Sequence, residues 1–245
     1  MQPRSPFKVV FGFFFVLGVV AWYFSGRAGA SLGALVDTSG RSRQVWAWLR
    51  TPQEHPDWAI HSLQRCAEAP FLLPTDGFIG YLWDDSFRPG HRHQGVDIFG
   101  GTEPGVTPVY AAYDGYLTRQ GNWKSAVIVR IPSDPLSPGR QIWLYYTHMA
   151  DAQGNSFIET RFPPGTSDVF VPAGTLLGYQ GNYSGDPLNP VGVHLHFSIV
   201  RGSGGSFLNE LEIANTYDPS PYLGLPLNAH TNAGRLPVCT GDVTQ

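Results

Sequence analysis

The sequence predicts a mainly β protein, built as a compact antiparallel sheet or sandwich that follows an N-terminal hydrophobic helix and short helices. Two observations support this fold class. The 245 residues include 29 Gly and 21 Pro, but only 14% are charged, which favours many turns between strands over a helical bundle. From about Phe71 onward, short apolar or alternating segments are separated by Gly, Pro, Asn and Asp. Strands at such short spacing usually pair antiparallel.

Residues 1–30 are predicted to be a signal peptide or a signal anchor. Arg4 and Lys8 precede an almost uninterrupted apolar run over residues 9–24. Its length lies between that of a secretory signal core and that of a membrane span. The positive charges favour an N-terminus inside the cell, and residues 28–30 (AGA) resemble a cleavage site. Either reading predicts an extracytoplasmic protein, which is membrane-anchored if the segment stays and secreted or periplasmic if it is removed.

Residues 31–67 are predicted to be a spacer with one or two short helices. Val45, Trp46 and Leu49 recur at helical spacing, and Ala59, Ile60 and Leu63 do so after a proline. Residues 68–224 form the predicted main domain, and residues 225–245 a C-terminal tail. The domain's predicted strands are residues 109–112, 126–131, 141–149, 169–171, 176–179 and 193–200, the fourth and fifth of them joined as a tight hairpin.

The formal net charge of −3 excludes the basic footprint that nucleic-acid binding requires. Cys66 and Cys239 lie far apart and do not form a CxxC motif, which argues against a cysteine zinc site. They could join the two ends of the domain in an oxidising compartment, or they could be two unrelated thiols.

Candidate metal ligands occur at two places. His93 and Asp97 are four residues apart in an extended segment, and His194 and His196 are two residues apart in an alternating strand. Within each pair, the two side chains therefore lie on the same face of their strand. His148 ends an aromatic strand. Single motifs of this kind are weak, because HxH patterns also arise by chance. The ordered set HxGxD, aromatic strand with His, and HLHF is specific.

This ordered set resembles the lysostaphin/LytM-type zinc endopeptidases of peptidoglycan, over roughly residues 71–224. The matching segments are residues 93–98 (HQGVDI), 108–111 (PVYA), 114–115 (DG), 146–149 (YTHM), 173–181 and 194–197 (HLHF). The resemblance implies a compact antiparallel β fold with a metal-binding groove. It also implies one zinc ion held by His93, Asp97 and His196, with His148 and His194 as catalytic residues.

The implied activity is a zinc metallo-endopeptidase that hydrolyses amide bonds in the peptide stems or cross-links of peptidoglycan, with a metal-bound water as nucleophile. Three protein ligands leave zinc an open position for that water, and an imidazole suits the role of general base. The expected partners are peptidoglycan and, if the N-terminal segment is retained, a membrane.

Two other functions are compatible with the pattern. One is a non-catalytic member of the same fold that binds cell wall or activates another hydrolase, and the other is a zinc peptidase with a different exported substrate. His91 is predicted to be a bystander. The loops at residues 159–168 and 182–192 are expected to lie over the groove.

Overall fold

The computed structural model describes residues 40–86 and 90–239. Within these residues the chain is mainly antiparallel β-sheet, which confirms the predicted fold class. The strands are β1 (Ala59–Ile60), β2 (Gly77–Tyr81), β3 (Val96–Phe99), β4 (Pro108–Tyr110), β5 (Gly115–Thr118), β6 (Val127–Ile131), β7 (Ile142–Thr147), β8 (Val169–Val171), β9 (Leu176–Tyr179), β10 (Leu195–Ser203), β11 (Ser206–Phe207) and β12 (Thr216–Tyr217).

Most strands belong to one large sheet with the order β1-β2-β3-β10-β7-β6-β5-β8, and β11 and β12 also pair with β10. The strands β4 and β9 form a separate two-stranded sheet. The long strand β10 lies in the middle of the large sheet, antiparallel to both β3 and β7. This order brings segments that are about one hundred residues apart in sequence onto adjacent strands.

The predicted hairpin over residues 169–179 is wrong, although both of its strands exist. The chain does turn there, and the Thr175 N–H donates to the Pro172 carbonyl at 3.1 Å. However, β8 pairs with β5, whereas β9 pairs with β4 in the other sheet. The turn therefore connects two sheets. Local sequence cannot distinguish these outcomes, because strand partners are chosen by tertiary packing.

One of the two predicted helices is present. Helix α1 (Arg41–Arg50) contains the first apolar stripe. The second predicted helix is replaced by a 3₁₀ turn, Pro56–Trp58, followed directly by strand β1. Ile60 is 1% exposed and pairs with Gly77 of β2. Its apolar side chain is therefore buried as part of a β-sheet and not of a helix. A second α-helix, α2, is a single turn at Ser220–Leu223.

The sequence analysis does not predict strands β2, β3, β5, β11 and β12. All four residues of β3 are buried, because α1 covers one face of this part of the sheet. Val45 and Trp48 of α1 pack against Phe78 and Phe99, and the Trp48 indole N–H donates to the Phe99 carbonyl at 2.7 Å. A strand buried on both faces loses the alternation by which sequence analysis finds it.

The C-terminal segment of the described chain is tied to the domain. Cys66 and Cys239 form a disulfide, with a Cα–Cα distance of 5.2 Å and a sequence separation of 173. Leu225 and Leu227 are buried in the main core. The segment at residues 225–239 therefore packs on the domain.

Among the described residues, no helix is long and apolar enough to cross a membrane. The hydrophobic segment predicted in residues 1–30 lies outside the described residues.

Candidate metal centre

The centre forms where β3 and β10 run side by side. Asp97 of β3 pairs directly with His196 of β10, so their side chains emerge together on one face. His93 lies just before β3, where its backbone N–H donates to the Asp85 carbonyl at 2.9 Å. The sheet thus unites two sequence motifs that are about one hundred residues apart.

Three ligand atoms converge there. The Nε2 atom of His93 lies 3.1 Å from Asp97 Oδ1 and 3.0 Å from His196 Nδ1, and the last two atoms are 2.8 Å apart. The three side chains are only 4%, 10% and 12% exposed, in the order His93, Asp97 and His196. They form a group of His and acidic residues that could hold a metal ion.

Hydrogen bonds outside this group orient the two imidazoles. The Nδ1–H of His93 donates to the Leu82 carbonyl at 2.9 Å, which leaves Nε2 of a neutral ring as a lone pair facing Asp97 and His196. His196 contacts the Ser198 hydroxyl through Nε2 at 2.8 Å, so that its Nδ1 faces the centre. Metal-binding histidines are typically held in this way by a second partner on the other ring nitrogen.

This donor set fits zinc. Two imidazole nitrogens and one carboxylate oxygen are typical of a site that keeps a fourth position open. Tetrahedral ligand atoms at normal zinc bond lengths lie ~3.3 Å apart, and the observed separations of 2.8–3.1 Å are slightly shorter. A small outward shift of the side chains would accommodate the ion.

The electrostatics favour an ionised carboxylate. Burial alone would raise the pKa of Asp97, but the charges of His93 and His194 and hydrogen bonds hold that pKa well below its ordinary value. Burial is the largest single influence on His93 and lowers its pKa, but the charge and hydrogen bond of Asp97, the hydrogen bond to the Leu82 carbonyl and the charge of Asp85 together raise that pKa above its ordinary value. The pKa of His196 is lowered, chiefly by burial. A buried anion surrounded by imidazoles is an environment suited to a cation.

His148 and His194 lie next to the three ligand candidates. Their ring centroids are 4.5 Å apart, and the His148 ring is 6.3 Å from the His196 ring. His194 Nε2 is 3.5 Å from Asp97 Oδ1, and its ring stacks on Phe99 at 5.0 Å. The structure thus brings all five residues singled out in the sequence into one site.

Each of these two imidazoles donates its Nδ1–H to a carbonyl of the same loop. His148 donates to Tyr183 O at 2.7 Å, and His194 donates to Gly192 O at 2.6 Å. In the neutral rings, Nε2 is therefore the basic nitrogen. Burial, followed by the charges of His194 and His196, lowers the pKa of His148 to about 3. This imidazole is consequently neutral at physiological pH.

The backbone at His148 is unusual. Its φ angle is 71°, in the left-handed region that non-glycine residues rarely adopt. Its carbonyl also lies 2.5 Å from where a Cβ at Gly181 would stand, so only glycine allows this close approach of the loop. Such a backbone conformation is typical of functional sites, where the surrounding structure holds it in place.

The other histidines have different contacts. His91 lies 6.2 Å from His93 between ring centroids and is not part of the three-residue group. His55 stacks on Trp58, and the remaining two histidines, His61 and His230, lie beside Asp76 and Asp84 respectively.

Of the two loops predicted to flank the site, residues 182–192 do so through the carbonyls of Tyr183 and Gly192. Residues 159–168 instead form hydrogen bonds to Thr118, Arg119, Arg130, Leu176 and Leu177. Two neighbouring aromatic residues of β7 differ in their environment: Tyr146 is fully buried in the core, whereas the Tyr145 ring lies 6.4 Å from the His196 ring.

Ser198 was missed by the sequence analysis. It stands two residues after His196 on an alternating strand, and side chains two apart share a face. That spacing was the available signal, but a serine carries no motif of its own.

Comparisons with known proteins gave structural likenesses only. A scan against protein-family models and a search of curated proteins found no match. Solved structures that resemble the chain include the catalytic domain of the antimicrobial peptidase lysostaphin from Staphylococcus simulans, with 21% identity, a TM-score of 0.39, and coverage of 60% of this chain and 90% of that domain. For whole lysostaphin the identity is 22% and the TM-score 0.40, with coverage of 76% of this chain and 59% of lysostaphin.

Another is a catalytic-domain variant of the prophage-encoded M23 protein EnpA from Enterococcus faecalis, with 20% identity, a TM-score of 0.33, and coverage of 60% of this chain and 95% of that one. The expected resemblance to lysostaphin-type proteins is thus confirmed as a likeness. At TM-scores below 0.5 it carries no argument about activity, which has to come from the side chains of the site.

Proposed function

We propose that this protein is a zinc-dependent hydrolase that cleaves peptide bonds in the peptide stems or cross-links of bacterial peptidoglycan. The observation that carries the proposal is the convergence of His93 Nε2, Asp97 Oδ1 and His196 Nδ1 within 3.1 Å of one another. A zinc ion bound to these atoms would supply Lewis acidity, which acidifies water and polarises a carbonyl group.

His148 and His194 are proposed to handle the protons of the hydrolysis. Both rings donate Nδ1–H to a carbonyl, so each neutral ring can only accept a proton at Nε2. One of them accepts the proton of the attacking water, and the resulting imidazolium returns it to the leaving amine. The carbonyls of Tyr183 and Gly192 fix both rings in the tautomer that this transfer requires.

The substrate class is supported by the motif resemblance. Lysostaphin, which the fold resembles only in part, is described as an antimicrobial peptidase. We further propose extracytoplasmic action, because residues 1–30 have the composition of an export signal and because the disulfide between Cys66 and Cys239 is of a kind that persists in oxidising compartments.

The test uses the full-length chain and three variants. His196→Ala removes a proposed ligand, His148→Ala removes one of the two imidazoles proposed to handle protons, and His61→Ala is the matched control, since the His61 side chain is 73% exposed. Each protein is assayed for bound zinc and then incubated with purified peptidoglycan. Newly formed amino groups report peptide cleavage, and new reducing ends report glycan cleavage.

The unchanged protein and His61→Ala should bind about one zinc ion and release amino groups without reducing ends. His148→Ala should keep the zinc and lose the activity, and His196→Ala should lose both. A protein that binds zinc but leaves peptidoglycan intact would instead support the alternative of a non-catalytic wall-binding or hydrolase-activating protein. Absence of zinc from the unchanged protein would refute the proposed centre.

A further inference from the structure

Ser198 contacts the proposed ligand His196 but has no part in the proton transfers of the proposed hydrolysis. Its side chain lies on the same face of β10 as His196, and its Oγ is 2.8 Å from His196 Nε2. Ser198 is fully buried. A buried hydroxyl on the outer nitrogen of a ligand candidate orients the ring, and it can bond that nitrogen with or without its proton.

A neutral imidazole carries one N–H proton, which resides on either of its two ring nitrogens. The metal-free and the metal-bound site therefore require different tautomers of His196. Without a cation, His196 can carry its proton on Nδ1 and donate it to Asp97 Oδ1, which is 2.8 Å away. With a cation bound at Nδ1, the proton has to reside on Nε2. The outer partner must then donate to Nε2 in the first state and accept from it in the second.

We infer that Ser198 is a positioning residue that lets His196 exchange tautomers when a metal ion binds. A hydroxyl both donates and accepts and can rotate in place, so Ser198 satisfies Nε2 in both states without any movement of the strand. The ring stays neutral throughout, so the imidazole itself adds no charge to the buried site. The inference rests on the proposed zinc site and assigns a role to a residue outside the ligand set.

The HxGxD motif provides the space for this hydroxyl. Ser198 lies opposite Gly95, where a Cβ would stand 2.5 Å from the hydroxyl oxygen and closer still to the Phe197 carbonyl. Real Cβ atoms essentially never approach within 3.0 Å. The glycine between His93 and Asp97 is therefore required by the approach of β10, and the two motifs are coupled through Ser198.

The test compares zinc affinity in the full-length protein, in Ser198→Ala and in Thr107→Val. Thr107 is a suitable control because its hydroxyl is also buried and hydrogen-bonded, to Thr102 at 2.6 Å, but takes no part in the proposed centre. Affinity is measured by competition with a chelator. Nitrogen-15 NMR of the histidine rings, with His196 assigned by comparison with His196→Ala, reports which nitrogen is protonated with and without zinc.

Ser198→Ala should bind zinc about 10- to 100-fold more weakly, as is usual when the outer partner of a ligand is removed, and Thr107→Val should bind as the unchanged protein does. In the unchanged protein the His196 proton should move from Nδ1 to Nε2 when zinc binds. Equal zinc affinity in Ser198→Ala, or a proton that stays on Nε2 in both states, would overturn the inference while leaving the zinc centre intact. Failure of the unchanged protein to bind zinc would overturn the proposed function itself.

Discussion

Replacing Gly95 by alanine tests the close approach of the two strands that build the centre. A Cβ at this position would lie 2.5 Å from Ser198 Oγ. The nearer contact is to the Phe197 carbonyl oxygen, 2.2 Å from this Cβ, and real Cβ atoms essentially never approach within 3.0 Å. The backbone at Gly95 and β10 would therefore have to separate by about 0.8 Å (3.0 − 2.2 Å). Position 95 has no positive φ angle, so the expected effect comes from space alone.

Overpacking of a tight interior typically costs about 1–3 kcal/mol. For a chain of this size such a loss lowers the melting temperature by roughly 2–12 °C. Because the serine contacts a proposed ligand, zinc affinity should fall as well. Both effects have the same steric cause and should appear together.

The matched control is Gly121→Ala, where a Cβ meets nothing within 4 Å and the backbone has no positive φ angle. This change should leave stability unchanged or raise it by up to about 1 kcal/mol, because alanine restricts the unfolded chain. Urea denaturation and chelator competition measure the two quantities for both variants. If Gly95→Ala proved as stable as Gly121→Ala and bound zinc equally well, the close packing of β3 on β10 would be refuted.

Three further predictions concern the rest of the domain. Reduction of the Cys66–Cys239 disulfide should lower the unfolding free energy by about 2–5 kcal/mol, because the disulfide closes a long loop. The control is a Cys66→Ser variant, whose stability should not respond to reductant. An unchanged urea midpoint on reduction of the unchanged protein would contradict the expectation. Tyr146→Phe should lower the unfolding free energy, measured by urea denaturation, by about 1–3 kcal/mol, because the buried backbone N–H of Ala112 loses its hydroxyl acceptor. An unchanged unfolding free energy would contradict that hydrogen bond. The pKa of Asp84 is lowered chiefly by its hydrogen bond to Arg92. The ionised carboxylate therefore stabilises the folded protein above about pH 4, and this stabilisation is lost as the pH falls through the folded-state pKa. Asp84→Asn should flatten the acid side of the plot of unfolding free energy against pH, and parallel plots for the variant and the unchanged protein would contradict this expectation.

Much of the fold could be predicted from local sequence. Gly and Pro content with short alternating segments gave the fold class, and strands such as β6 and β7 alternate or carry aromatics. The prediction failed where burial on both faces removed the alternation, as in β3, and where a turn joins two sheets, as between β8 and β9. It also failed at Ile60, whose apolar neighbours occur at helical spacing by coincidence.

Sequence by itself determined the chemistry available to this protein, because the order of HxGxD, strand histidine and HLHF sets which donor atoms exist and which of them share a face. The tertiary structure alone decided that β3 lies beside β10, which brings Asp97 within 2.8 Å of His196. It also decided the outer partners, namely three backbone carbonyls and the hydroxyl of Ser198. Carbonyls belong to every residue and carry no sequence signal, so only the path of the chain shows which of them hold an imidazole in place.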